Sequence, residues 1–196
     1  MPEMPAVARA LTTSPPYRLI ARRVLLPWVL QGEHPSGDGL EIGAGSGAMT
    51  AQLLTAFPGL RMVATDFDAA MVAAAQYMLA PFADRASAQR ADAADLPFDD
   101  GRFGFVLSAA MLHHVVAWEE ALAEAIRVLR PGGLLLGYDL LDTGPVRLLH
   151  FGERHDTRLL RPGELEGELA RLHAANIRVR PGIGSLVIRF AACKAT

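Results

Sequence analysis

The stretch Leu40-Glu41-Ile42-Gly43-Ala44-Gly45-Ser46-Gly47-Ala48-Met49-Thr50 decides how the rest of the chain is read. A short apolar strand runs into three glycines at alternate positions, and an apolar helical pattern follows. Glycines at this spacing let the backbone turn tightly at positive φ and let a ligand approach the main chain without meeting a Cβ. The helix behind them presents unpaired first-turn N–H groups to whatever is bound. The stretch therefore predicts a nucleotide-type binding loop at the carboxyl end of a first strand, where open α/β sheets place their ligands. Two patterns fit the glycines. Gly43, Gly45 and Ala48 satisfy the G-x-G-x-x-G/A dinucleotide fingerprint, while Glu41, Gly43, Gly45 and Gly47 give acid-x-G-x-G-x-G.

Outward from the loop, strands and helices alternate. The helix from Met49 stops at Pro58-Gly59. A second strand over Arg61 to Thr65 ends at Asp66, and Asp68 is a suitable N-cap for an alanine-rich helix over Ala69 to Ala80. Ser87 to Ala91 is a weak third strand. Phe103 to Ala109 is a fourth, with a continuous apolar run typical of strands covered on both faces. A helix over Trp118 to Leu129 is broken by Arg130-Pro131-Gly132-Gly133, and Leu134 to Leu140 is a fifth strand. This alternation predicts an α/β, Rossmann-like, doubly wound and mostly parallel sheet. The tail holds a helix after Pro162 and two strands, Ile177 to Arg180 and Leu186 to Cys193. The tight turn between those two predicts a final antiparallel hairpin, making seven strands. Before the loop, Tyr17 to Leu30 is amphipathic, and Pro27 is expected to kink or end that helix at the preceding residue.

The chain of 196 residues suits one domain with a sizeable core. It divides into an N-terminal helical lid (1–36), a cofactor-binding core (37–140), a cap segment (141–161) and a C-terminal helix and hairpin (162–196). A balance of 19 basic against 21 acidic residues gives no bulk attraction to nucleic acid or an anionic membrane. The adjacent pair Arg22-Arg23 reads as a solvated helix face. The single cysteine, Cys193, excludes an intrachain disulfide and a cysteine-rich metal site, and its apolar surroundings predict a buried strand residue. No secretory signal is evident, and no apolar run reaches the ~18 residues needed to span a bilayer. These features predict a soluble, cytoplasmic protein.

Four stretches resemble class I S-adenosylmethionine-dependent methyltransferases, the closest by pattern being the small-molecule enzymes of the ubiquinone and menaquinone biosynthesis type. They are the acid-x-G-x-G-x-G loop, Val63-Ala64-Thr65-Asp66-Phe67-Asp68, Ala91-Asp92-Ala93-Ala94-Asp95-Leu96-Pro97-Phe98, and Leu129-Arg130-Pro131-Gly132-Gly133. Together they fall within Leu40 to Leu140. The resemblance implies S-adenosyl-L-methionine as cofactor. Asp66 would bind both ribose hydroxyls, Asp92 and the Ala93 N–H would hold adenine, and Phe67 and Met71 would cover its face. Gly43, Ala44, Gly45, Gly47 and Ser108 would offer backbone groups, with Glu41 near the methionine ammonium. A carboxylate suits two vicinal hydroxyls on chemical grounds as well, though an acid at that place serves NAD equally. The sequence departs from the family pattern twice. Gly37-Asp38-Gly39 occupy the start of the first strand, which is expected to be short or frayed, and Phe103-Gly104 stands where Phe-Asp is usual.

Methyl transfer mainly requires that the nucleophile be positioned behind the sulfonium methyl, with a base needed when the acceptor is protonated. His113-His114, just after the fourth strand, are the best-placed imidazoles. His150, His155, Tyr138 and Asp139 lie in or beside the cap, and Tyr17 is placed to close over the site. His113, His155 and Tyr17 are thus the catalytic candidates. No metal is expected, and the partner is a small-molecule acceptor rather than nucleic acid. The apolar residues of the cap, Leu148, Leu149, Phe151, Leu159 and Leu160, suit a lid or alternatively a homodimer surface. A nicotinamide-dependent oxidoreductase using Gly43, Gly45 and Asp66 is the first alternative, and a methyltransferase-like binding protein without transfer is the second.

Overall fold

The computed structural model describes residues 21–82, 84–149, 158–182 and 184–196. Seven strands form one sheet: β1 (Gly37–Ile42), β2 (Leu60–Asp66), β3 (Ala86–Arg90), β4 (Phe103–Ala109), β5 (Leu129–Leu140), β6 (Ala175–Gly182) and β7 (Val187–Cys193). Their spatial order is β3-β2-β1-β4-β5-β7-β6. The first five strands pair in parallel, and β7 runs antiparallel to both β5 and β6. The order reverses between β1 and β4, so the loops leaving those two strands diverge and open a crevice.

Helices cover both faces. Phe105 and Leu107 of β4 face one way, into a layer with Leu53 and Leu54 of α2 (Ala48–Ala56). Val106 faces the other, among Leu122, Ala125 and Ile126 of α4 (Trp118–Val128). This two-sided burial is the reason the strand reads as an unbroken apolar run. Asp68 caps α3 (Ala69–Leu79) by accepting from the Ala70 N–H. The remaining helices are α1 (Leu26–Leu30), α5 (Gly144–Leu149) and α6 (Glu164–Arg171).

Pro27 marks a change of helix type rather than a helix end, and three other local expectations need correction. A π-helical turn over Ala21–Leu25 hands over to α1 at Leu26, placing Pro27 in the first turn, where no N–H is needed. β1 is not frayed at its start but begins at Gly37, because a Cβ on Gly39 would stand 2.5 Å from the Met62 sulfur and 3.0 Å from the Phe105 ring. The neighbouring side chains fill the place its own would take. β5 begins at Leu129 rather than Leu134, carrying Arg130-Pro131-Gly132-Gly133 along as an irregular strand start with a register shift opposite Phe103 and Phe105. Cys193 is half-buried, since it ends β7.

The cap segment also has more order than its lack of period implies. Leu141 bridges to Leu160, the Asp142 N–H donates to the Leu160 carbonyl at 2.8 Å, and α5 starts two residues later. Tyr17, His150, Phe151 and His155 lie outside the described residues, as does the part of the 17–30 lid helix before Ala21.

Candidate functional site

The glycine loop is tied to β2 before any ligand is considered. The Ala44 N–H donates to the Thr65 carbonyl and the Thr65 hydroxyl to the Glu41 carbonyl, at 2.8 and 3.0 Å. The three glycines then do different jobs, although all have positive φ. A Cβ on Gly43 would strike the Met111 side chain at 2.6 Å, and one on Gly47 would press on Ala75 of α3 at 3.2 Å. Gly45 alone has open space where its Cβ would stand, and its N–H donates to Asp66 Oδ2 at 2.8 Å. Gly43 and Gly47 are glycine for packing, Gly45 for access.

Asp66 is half-buried at the carboxyl end of β2, and its other oxygen accepts from the Asp68 N–H at 2.9 Å. Burial raises its pKa, and the two amide bonds oppose that rise. Each carboxylate oxygen keeps further lone-pair capacity. Phe67, also half-buried, lies under the Arg90 guanidinium at 5.0 Å, and Arg90 Nε donates to the Phe67 carbonyl. Met71 is buried whereas Phe67 is only half-buried, so of the two Phe67 has the more exposed side chain. On the next loop, Asp92 Oδ1 accepts from the Ala94 N–H at 3.0 Å in a tight turn that buries Ala93. Phe98 closes the loop edge-on against Phe103.

Glu41 is almost wholly buried and bonded by the Thr50 hydroxyl of α2. Removal from water pushes its pKa up to about 7, with the nearby Asp66 charge adding to the rise and the Thr50 bonds opposing it. Thr50 and Thr65 escaped the sequence reading because hydroxyl side chains at strand and helix positions carry no distinctive pattern.

Across the crevice, Ala110 adopts the left-handed region at φ 52°, turning the chain from β4 into the 3₁₀ turn Leu112–His114. Its N–H donates to the Tyr138 carbonyl. Asp139, fully buried at the end of β5, gathers this turn: it accepts from the Leu112 N–H at 2.7 Å and lies 2.6 Å from His113 Nδ1. His113 is buried, and its ring lies tilted against that of His114, 4.0 Å between centroids. Ser108 Oγ is buried with no hydrogen-bond partner among the described residues. The sequence reading grouped Tyr138 with Asp139, but Tyr138 belongs to the opposite face, edge-on to Trp28. Adjacent residues of a strand cannot both face one site.

Among the described residues no cluster of His, Cys, Asp or Glu is placed to hold a metal ion, and no helix is long and apolar enough to cross a membrane.

The chain is similar to known proteins over this same core. It is 39% identical over 113 residues to a demethylmenaquinone methyltransferase of Clavibacter sepedonicus, covering 58% of this chain and 44% of that one. It is 35% identical to an O-methyltransferase of Penicillium expansum, covering 59% and 41%. The chain thus spans less than half the length of these curated relatives. Its fold superimposes on a putative methyltransferase of Haloferax volcanii, solved with the Trm112 activator, with a TM-score of 0.77 at 17% identity, over 97% of this chain and 95% of that one. Residues 40–137 match the methyltransferase domain family, from the glycine loop through the Asp66, Asp92 and Arg130-Pro131-Gly132-Gly133 stretches, and the chain belongs to that family.

Proposed function

We propose that this chain binds S-adenosylmethionine in the β1/β4 crevice and transfers its methyl group to a small-molecule acceptor. One observation carries the reading: the open glycine, Gly45, donates to the strand-end carboxylate of Asp66, so loop and acid already form one wall. The residues fit an adenosine-bearing cofactor. Asp66 retains lone pairs for ribose hydroxyls, Phe67 offers a ring face, and Asp92 with Ala93 presents an acceptor and a donor to an adenine edge. Glu41 holds a negative charge in reserve for an ammonium. When bound, the cofactor supplies an electrophilic methyl on a sulfonium.

The chain's own contribution to transfer is to orient the acceptor and take its proton. Methylation of a carbon or a hydroxyl oxygen ends with loss of a proton from the acceptor. His113 Nδ1 lies 2.6 Å from Asp139 Oδ1, and with an ionised Asp139 that contact would put the proton on Nδ1 and leave Nε2 as the nitrogen to take the acceptor's proton. His113 is thus the base, with Asp139 holding its ring. The activities named for the two relatives, on demethylmenaquinone and on oxygen, support an acceptor of this kind.

The test is calorimetry with S-adenosylhomocysteine and with NAD. S-adenosylhomocysteine should bind and raise the melting temperature by mass action, and NAD should not. The opposite preference overturns the reading.

A further inference from the structure

One ion pair on α4 reaches out of its helix and holds the adenine-side loop by its main chain. Arg127 Nη2 donates to the Leu96 carbonyl at 3.0 Å and Nη1 to the Phe98 carbonyl at 2.8 Å. Glu124 Oε2 accepts from the Leu96 N–H at 2.8 Å while both its oxygens bond Arg127, at 2.6 and 2.8 Å. Asp100 takes one more Arg127 hydrogen. Both backbone groups of Leu96 and the carbonyl of Phe98 thus end on a single guanidinium–carboxylate pair. These residues follow directly on Asp92 and Ala93 in the Asp92–Phe98 element.

The pair is placed to resist bending. Glu124 and Arg127 stand one turn apart on a helix whose opposite face is packed into the core through Ala121, Leu122 and Ala125. The backbone of α4 at Arg127 is itself pinned, its carbonyl accepting from Lys194 Nζ at 2.8 Å and from the Gly101 N–H at 3.1 Å. Glu124 is held below its ordinary pKa chiefly by the Arg127 bond, so the pair stays ionised through neutral pH. A planar, five-donor guanidinium can serve two carbonyls and a carboxylate at once, which an ammonium cannot.

We infer that Glu124 and Arg127 are positioning residues that set the adenine-reading edge at Asp92 and Ala93, linking the stretch before β5 to the nucleotide end of the site. The inference rests on the cofactor reading above. Neither residue touches the cofactor in this account, and both act through the loop.

The test compares the unaltered chain with Glu124→Gln and Arg127→Lys, measuring calorimetric Kd for S-adenosylhomocysteine and for its inosine counterpart, in which a carbonyl replaces the adenine amino group. Each variant should weaken S-adenosylhomocysteine binding roughly tenfold and shrink its preference over the inosine analogue. In turnover, KM for S-adenosylmethionine should rise while kcat at saturation stays within about twofold. Glu124→Gln is isosteric and keeps the measurement available if Arg127→Lys fails to fold. Glu168→Gln, in the Glu168–Arg171 pair of α6 with the same three-residue spacing, is the control that should leave the adenine preference unchanged. A lowered melting temperature with unchanged preference for adenine would reduce the pair to a structural brace and overturn the inference. Absence of S-adenosylhomocysteine binding to the unaltered chain would instead remove the cofactor reading, and this inference with it.

Discussion

The two walls of the crevice are built by different means. The nucleotide side, from the glycine loop to Asp92, is held by main-chain hydrogen bonds that end on carboxylates: Gly45 and Asp68 on Asp66, Ala94 on Asp92. The acceptor side hangs on one buried carboxylate, Asp139, which gathers the Leu112 amide and the His113 ring into a short turn. On the proposed reading the first wall would hold the nucleotide, and its hydrogen bonds are redundant. The second places one ionisable ring, with little redundancy. A change on the acceptor side should therefore strike turnover and spare cofactor affinity, and a change on the nucleotide side should do the reverse.

The largest effect that would expose this contrast is expected at His113. His113→Gln should lower kcat by about 10²–10⁴-fold, the usual contribution of a positioned base, with S-adenosylhomocysteine Kd unchanged. Equal losses in both would mean that the two walls are not independent. Next comes the pH dependence set by Glu41. A carboxyl whose folded pKa is raised to about 7 favours the folded state below its ordinary 4.5, and that advantage is lost as pH climbs through 7. Stability should fall across that window by on the order of 3 kcal/mol from this group, at about 1.36 kcal/mol per pKa unit. Glu41→Gln should flatten the fall, as denaturant titrations at pH 5 and pH 8 would record. A slope that persists in the variant would place the titration elsewhere.

Asp66→Ala should weaken S-adenosylhomocysteine binding by about 1.5–3 kcal/mol, the range for hydrogen bonds to a charged group, while turnover at saturating cofactor changes far less. Calorimetry that finds affinity intact would take the ribose away from Asp66. The smallest effect is expected at Gly45. Gly45→Ala meets open space but must hold a left-handed φ, at a stability cost of about 1 kcal/mol. Its loss of cofactor affinity should exceed its loss of stability, because the added methyl stands where the ligand approaches. Gly43→Ala should show the reverse, failing first in thermal melts.

The same contrast explains what could be read from the residues in order. The nucleotide wall was legible because its determinants are local: a strand, a glycine loop and an acid at the next strand end follow one another in sequence. Within it, the separate duties of Gly43, Gly45 and Gly47 were not legible, since each depends on a distant neighbour such as Met111 or Ala75. The start of β1 was misread because Gly37-Asp38-Gly39 has poor strand propensity, and the Met62 and Phe105 side chains that require a glycine there come later in the chain. His113 could be proposed from its place after β4, but its bond to Asp139 joins residues 26 apart. Nothing in the sequence singles out Glu124 and Arg127, and their hold on Leu96 and Phe98 is invisible without the fold.

The strand order has a consequence for synthesis. β7 lies between β5 and β6 although it is made after both. As the chain leaves the ribosome, β5 must wait with one edge unpaired until roughly 50 further residues have been added, a delay of a few seconds at about 5–20 residues per second. During that interval β6 has nothing to pair with, for among the described residues its one neighbour in the sheet is β7. The nascent protein thus passes through a stage with a complete glycine loop and an open, apolar β5 edge, the kind of surface on which strands of other chains can add. Chaperone dependence, or aggregation on slowed translation, should trace to that stage rather than to the glycine loop.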